Sequence, residues 1–317
     1  MSAAQVAVGL EENNQVYVVD LSTRGSACSA ALPSAVKFVD RIEASRLTLV
    51  VTEAHGLAVL DDSGTLRYIT SVSTANVARV LHRSRRTIVG TRSGSLQLVD
   101  LDSGVILKDA ERHTLQVLDL YACADDSLFI SASQDWTACI STCSDLSIVR
   151  VLLGHQDGVK ACVAVRGGLF VTSSYDRLLK VWSPFEEDCR VTLPKQNGVV
   201  VALASHPSRD MFASGSHDGA VILWSLTDWS TVRSFSLAKS VHSLAFAVSQ
   251  DLVLAGVYAT GVMSCSWTTG TCQTHLPTSK AVWGLVCGEF SALILYSRLN
   301  TRDFKRFLLL VRGQDCR

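Results

Sequence analysis

His155, Thr172 and Asp176 fall in one short stretch, GHQDGVKACVAVRGGLFVTSSYDRLLKVWS, which runs from Gly154 to Ser183 and closes on Trp182. A histidine, a hydroxyl and an aspartate are the residue types of an acyl-transfer site. Such a site needs the imidazole against the nucleophile, an oxyanion hole and an open path for substrate. A second candidate, GSHDG at 215–219, lacks the G-x-S-x-G spacing of a nucleophile elbow because Ser216 follows Gly215 directly, and no strand-to-helix context surrounds it. No Gly-rich phosphate loop, H-E-x-x-H pair or EF-hand pattern occurs. No residue is therefore assigned to catalysis, and the chain reads as non-enzymatic.

Metal and redox chemistry find little to build on. Ten cysteines are scattered along the chain without a C-x-x-C pair, and Cys139 and Cys143 have no second ligand pair at zinc-site spacing. They read as small buried apolar residues in a reducing compartment, with no metal and no cofactor expected. The 29 basic and 29 acidic residues cancel, so no global field draws the chain to nucleic acid or an anionic membrane. The N-terminus has no basic start, and its short apolar run is cut by Glu11 and Glu12. No apolar run approaches the ~18 residues of a membrane span. A soluble, intracellular protein, cytoplasmic or nuclear, is expected.

The elements that position these residues are short hydrophobic runs separated by polar or Gly-containing turns, the pattern of antiparallel strands in a meander. QVYVVD at 15–20 alternates as a half-buried strand must. Positions equivalent to Trp182 recur at Val19, Leu60, Val99, Ser141, Trp224 and Trp267, with a weaker candidate near Leu309, at intervals of 41, 39, 42, 41, 42, 43 and about 42 residues. Asp follows at Asp20, Asp61 and Asp100. This repeat resembles the WD40-repeat family over nearly the whole chain.

The resemblance implies an all-β fold, a WD40-type β-propeller in a single domain over 1–317. Six units of four strands plus three strands at each end give 30 candidates, against 28 for seven blades and 32 for eight. Seven blades of four antiparallel strands are expected, one built from both termini so that edge strands are hidden, with a surplus hairpin outside the ring. Eight blades are the alternative. The family's turn Asp accepts from His, a hydroxyl joins them, and the Trp N–H ends the chain. Here that network is His155, Thr172, Asp176 and Trp182 in the fifth unit, the one unit with all four. It is partial as His113, Ser131 and Asp135 in the fourth unit, where Ser141 stands for Trp, and as Ser214, Asp218 and Trp224 in the sixth, where Lys195 stands at the His position. The seventh unit keeps Trp267 but has Gly261 for the turn Asp.

Propellers of this kind bind partners on the face that carries these turns. By carry-over, the outward residues just before each turn centre are Gln134, Tyr175 and His217, with Arg92 in the third unit, and Asn76 and Gln116 lie where the inner strands begin. The chain is expected to be a protein–protein interaction scaffold and a subunit of a larger complex, holding proteins or peptides on the top face or rim. The alternative is a propeller that contacts RNA or chromatin through the basic run from His82 to Arg86 and Arg92. The acidic run Phe185 to Asp188 and the basic run Arg302 to Arg306 read as solvated surface that could orient a partner.

Overall fold

The structure is a computed structural model; it describes the backbone of residues 5–10, 15–20, 25–31, 36–42, 47–52, 56–60, 65–69, 72, 74–81, 83–247, 251–276, 284–287 and 292–296. Every regular element among them is a strand. The chain opens with β1 (Gln5–Leu10), β2 (Gln15–Asp20) and β3 (Gly25–Ala31). A second group is β4 (Val36–Ile42), β5 (Leu47–Thr52), β6 (Gly56–Leu60) and β7 (Leu66–Ile69). The third is β8 (Ala75–Leu81), β9 (Arg86–Thr91), β10 (Ser95–Asp100) and β11 (Ile106–Glu111). The fourth is β12 (Val117–Ala122), β13 (Leu128–Ser133), β14 (Ala138–Thr142) and β15 (Ile148–Leu152). The fifth is β16 (Val159–Val165), β17 (Leu169–Ser174), β18 (Leu179–Trp182) and the two-residue β19 (Val191–Thr192). The sixth is β20 (Val200–Ser205), β21 (Met211–Ser216), β22 (Ala220–Ser225) and β23 (Thr231–Ser236). The seventh is β24 (Val241–Ala247), β25 (Leu252–Val257), β26 (Gly261–Ser266) and β27 (Cys272–Leu276), followed by β28 (Gly284–Cys287) and β29 (Ala292–Tyr296).

Each group from the second to the seventh is one four-stranded antiparallel meander. The first sheet joins the two ends of the chain in the order β28-β29-β1-β2-β3, with β29 and β1 parallel. The two C-terminal strands are therefore integrated as the inner strands of a five-stranded sheet, where a surplus hairpin outside the ring was expected. The third C-terminal strand and the Leu309 position lie outside the described residues, as does the Arg302–Arg306 run.

Inner strands pack on one another in succession: β4 on β8, β8 on β12, β12 on β16, β16 on β20, β20 on β24, β24 on β28, and β1 with β29 back on β4. Because the second to seventh sheets are covered on both faces, their middle strands are buried along most of their length and do not alternate between a buried and an exposed face. β21 is buried at every position, whereas the outer strands β11, β15 and β23 are largely exposed. The core lies between sheets. Trp182 and Phe170 pack with Ile130 and Ile140 of the fourth sheet, and Trp224 and Phe212 pack with Val163 and Val181 of the fifth. Close approach has a sequence cause at Gly215, where a Cβ would lie 2.7 Å from Val241 Cγ1.

Candidate functional site

In the fifth sheet the Trp182 indole N–H donates to Thr172 Oγ1 at 2.8 Å, Thr172 Oγ1 lies 2.8 Å from His155 Nε2, and His155 Nδ1 lies 2.7 Å from Asp176 Oδ2. With a neutral ring, one proton order pairs every atom: indole to hydroxyl, hydroxyl to Nε2, and Nδ1–H to carboxylate. Burial pushes His155 below its ordinary value against the pull of Asp176, which keeps the ring neutral. Burial pushes the Asp176 carboxyl up, but the N–H groups of Gln156 and Leu178 and the His155 ring outweigh it and hold the group below the usual range. Thr172 is fully buried, so its hydroxyl meets no substrate. The arrangement is a tie between strands and turn.

The fourth sheet repeats the lower half of that tie. His113 Nε2 lies 2.8 Å from Ser131 Oγ and Nδ1 lies 3.2 Å from Asp135 Oδ2, with Thr137 Oγ1 also in reach at 3.0 Å. Ser141 replaces the indole, and among the described residues its buried hydroxyl has no partner. In the sixth sheet Trp224 donates to Ser214 Oγ at 2.9 Å, but the second partner is Gln196, whose amide donates at 3.1 Å. The histidine's place is thus taken by Gln196 and not by Lys195; Lys195 instead lines an open cleft of about 260 Å³ beside Asp218 and Trp224.

The seventh sheet corrects the sequence alignment by two residues. Phe170 pairs with Trp182 and Phe212 with Trp224, each six residues beyond the centre of its turn. In the seventh sheet Leu252 pairs with Ser266 and Val257 with Gly261, so the turn centre is Ala259 and the tryptophan's place belongs to Cys265. Gly261, at φ 111°, is the first residue of β26. Trp267 lies two residues on, where it packs edge-on to Phe246 and His206, with the Arg209 guanidinium 5.5 Å from its ring centre. His206 caps its own turn by accepting the N–H groups of Ser208 and Arg209. Cys265 and Cys272, opposite each other across β26 and β27, form a disulfide, so these two are not the separate thiols read from the sequence. Antiparallel register brings them together, which a spacing of seven residues does not announce.

Five turns are fixed to the inner strands in one way. The N–H of Arg92, Gln134, Tyr175, His217 and Tyr258 donates to the carbonyl of the residue just before the inner strand of its sheet: Thr74, Gln116, Gly158, Val199 and Ser240. Asp135, Asp176 and Asp218 tighten three of these turns by accepting the N–H two residues on. Gln134, His217 and Arg92 are exposed and Tyr175 is half-buried. Tyr258, at 49% exposure, belongs with them; the misplaced turn centre hid it. Gln116 donates its amide to Gln134 at 2.5 Å and stays on this face. Asn76 does not: it lies two residues further in than Thr74 and donates to the Val117 carbonyl of the next sheet, a cross-link between inner strands.

The inner strands carry a polar lining that the repeat alignment passed over. Asp40 accepts the Val80 N–H, Arg79 donates to the Leu120 carbonyl, and Asp119 accepts the Cys162 N–H, so successive sheets are stitched side chain to backbone. Arg79 lies 3.8 Å from Asp40 and 5.4 Å from the Tyr121 ring centre. Charged residues inside otherwise apolar runs, as in ANVARVL and VLDLYA, were the available signal. Among the described residues no group of three or more His, Cys, Asp or Glu could hold a metal ion, and no helix is long and apolar enough to cross a membrane.

Two segments, 146–183 and 187–225, match the family WD domain, G-beta repeat. The chain is 36% identical to Small ribosomal subunit protein RACK1y of Oryza sativa subsp. japonica over 24% of its own length and 23% of that protein. It is 30% identical to Eukaryotic translation initiation factor 3 subunit I of Danio rerio over 42% of its length and 46% of the relative's. A U3 small nucleolar RNA-associated protein 15 homolog of Gallus gallus is 26% identical over 67% of this chain and 42% of its own. The chain thus spans less than half the length of each of these relatives. Among solved structures, U3-55K superposes with a TM-score of 0.70 at 18% identity, over 81% of this chain and 86% of that one. A computationally designed protein gives 0.69 at 19% identity, over 90% and 82%. The fold is a β-propeller. Two of its repeats match the WD40 family model, and the chain resembles WD40 proteins in sequence and in fold.

Proposed function

We propose that the chain is a non-enzymatic scaffold that holds other proteins within an intracellular complex, as one domain whose ring is closed by the sheet shared between the two termini. The observation that carries this is the row of five identically fixed turns, which sets Arg92, Gln134, Tyr175, His217 and Tyr258 on one face. Half-exposed aromatic and imidazole side chains on rigid turns lose little freedom when a partner covers them. The names of the relatives, a translation initiation factor subunit and a ribosomal subunit protein among them, support a place in a multi-subunit assembly. Affinity purification of the tagged chain beside a Tyr175→Ala, His217→Ala double variant tests it. At least one specific protein should co-purify with the parent and be lost from the variant. An unchanged set of partners would move the interface off this face.

A ribonucleoprotein setting is favoured by one observation, the RNA-associated relatives. The basic run supports it less. Arg85 pairs with Asp102 at 2.6 Å, the Asp126 carboxylate accepts the backbone N–H of Arg83, and Arg86 sits opposite Asp100 in the ladder. RNA binding through this run would weaken steeply with salt and fall when Arg83, Arg85 and Arg86 are replaced.

A further inference from the structure

Six inner strands carry a register shift near their start that skips one residue between the first and second rungs: Lys37, Asn76, Leu118, Lys160, Val201 and His242. A bulge bends the strand and re-aims that side chain. On one side of the ring this gathers basic groups. The His217 and His242 rings are 5.6 Å apart, and His242 meets Tyr258 edge-on at 6.1 Å. Lys160 lies close enough to both imidazoles to lower their basicity. Tyr175 borders the same loop, its ring against Gly158 two residues before Lys160.

Donor and acceptor accounting shows what this cluster lacks. Among the described residues, the Lys160 ammonium and the His217 ring have no hydrogen-bond partner. The neighbouring carboxylates each accept other donors. Asp119, on β12, accepts the N–H groups of Cys162 and Leu120. Asp218 accepts the Ser216 hydroxyl and the Ala220 N–H, and Asp157 caps the Gly158 N–H at 2.7 Å. The Lys160 ammonium and the His217 ring therefore lie on the turn face beside the His242 ring and the Tyr258 phenol, with Tyr175 at the edge of the group.

We infer that Lys160, His217, His242, Tyr175 and Tyr258 form a socket for an anionic side chain, a carboxylate or a phosphate ester, on an extended segment of a protein partner. This rests on the proposed reading of the face and names the chemistry it selects. Burial, then Lys160, pushes His217 down; burial, then His217 and Lys160, pushes His242 down to about 4, so both rings are neutral near pH 7 when the socket is unfilled. A bound anion stabilises the charged rings, so binding takes up protons and tightens as pH falls.

The test is fluorescence anisotropy on the full chain with labelled acetyl-Ser-Glu repeat peptides, their Ser-Gln counterparts and a phosphoserine version. The acidic probes should bind and the Gln probe should not. Affinity should rise by up to ~10-fold for each pH unit lowered between 8 and 6, the limit for one linked proton. Lys160→Met and His242→Gln should each weaken binding several-fold at an unchanged Tm, and His242→Gln should flatten the pH profile. The stronger of the Glu and phosphoserine probes identifies the anion. Equal binding of the Gln probe, no binding of either acidic probe, or displacement by an RNA oligomer with a steep salt slope would each overturn the inference. Partner loss in the Tyr175→Ala, His217→Ala purification alongside failed peptide binding would remove the anion socket while leaving the face as an interface. Failure of both would remove the face as well.

Discussion

In the fifth sheet the step from second to third strand is held by a buried chain of hydrogen bonds from Trp182 through Thr172 and His155 to Asp176. In the seventh the same step turns through Tyr258, Ala259 and Thr260 with no carboxylate, and Cys265 stands in the tryptophan's place. Their backbones nonetheless correspond strand for strand, down to the bulge in the inner strand and the N–H bond that fixes the turn. The backbone repeat thus survives without the network. It follows from register, from apolar strands packed on both faces, and from close contacts such as Gly215 against Val241. The network is a local reinforcement in sheets that have it, and the seventh sheet replaces it with an aromatic cluster around Trp267 and a cross-strand disulfide.

The sharpest way to break this comparison is to remove the two tryptophans. Trp182→Ala, at a site 1% exposed, should cost about 3–5 kcal/mol through the cavity it leaves and the stranded Thr172 hydroxyl. Trp267→Ala should cost about 3 kcal/mol, by packing alone. Denaturant midpoints measure both. A larger loss at Trp267 than at Trp182 would mean that the aromatic cluster, not the network, is the stronger anchor.

His155→Ala should lower stability by roughly 1–3 kcal/mol, because Asp176 and Thr172 both lose a buried partner. Gln196→Ala, which removes a single bond to Ser214, should cost about 1 kcal/mol. A double-mutant cycle of His155 with Asp176 should show coupling, and additivity would dissolve the network into separate contacts.

Acid should separate the sheets in the same sense. His113 and His155 are pushed down by burial, so below about pH 6.5 the unfolded chain binds protons that the folded one refuses. Their contribution is complete above that pH and declines as pH falls toward the folded values. Asp135 and Asp176, held low by hydrogen bonds that outweigh burial, add a further loss below about pH 4. His155→Gln should therefore flatten the decline between pH 6.5 and 5 in a series of melting curves. A profile parallel to the parent's would exclude His155 as a contributor.

Fold and site were legible to different depths. Strand period and the interval near 42 residues are properties of the backbone, and they survive substitution of Trp by Val, Leu or Ser. Assignments that relied on a single letter were weaker. Trp267 drew the seventh unit two residues out of register because an indole looked like the repeat's own, and Tyr258 was lost with it. Lys195 was read by position alone, although the neighbouring Gln196 is the residue whose amide reaches Ser214. The lining built by Asp40, Arg79, Asp119, Lys160 and His242 depends on which residues lie across from one another in different sheets. No local pattern encodes that.

The smallest effect expected is at Ser141, and it bears most directly on what the network is for. In the fourth sheet His113, Ser131 and Asp135 keep the lower half of the tie, and the indole that would complete it is absent. Ser141 fills the position with a buried hydroxyl that has no partner among the described residues. An unmatched buried hydroxyl costs stability that an apolar group of similar size does not. Ser141→Ala should therefore leave the fold unchanged or stabilise it by up to about 1 kcal/mol, read as a small rise in Tm. A clear loss would show that the hydroxyl is paired through ordered water, and that the fourth sheet completes its network by solvent where the fifth uses tryptophan.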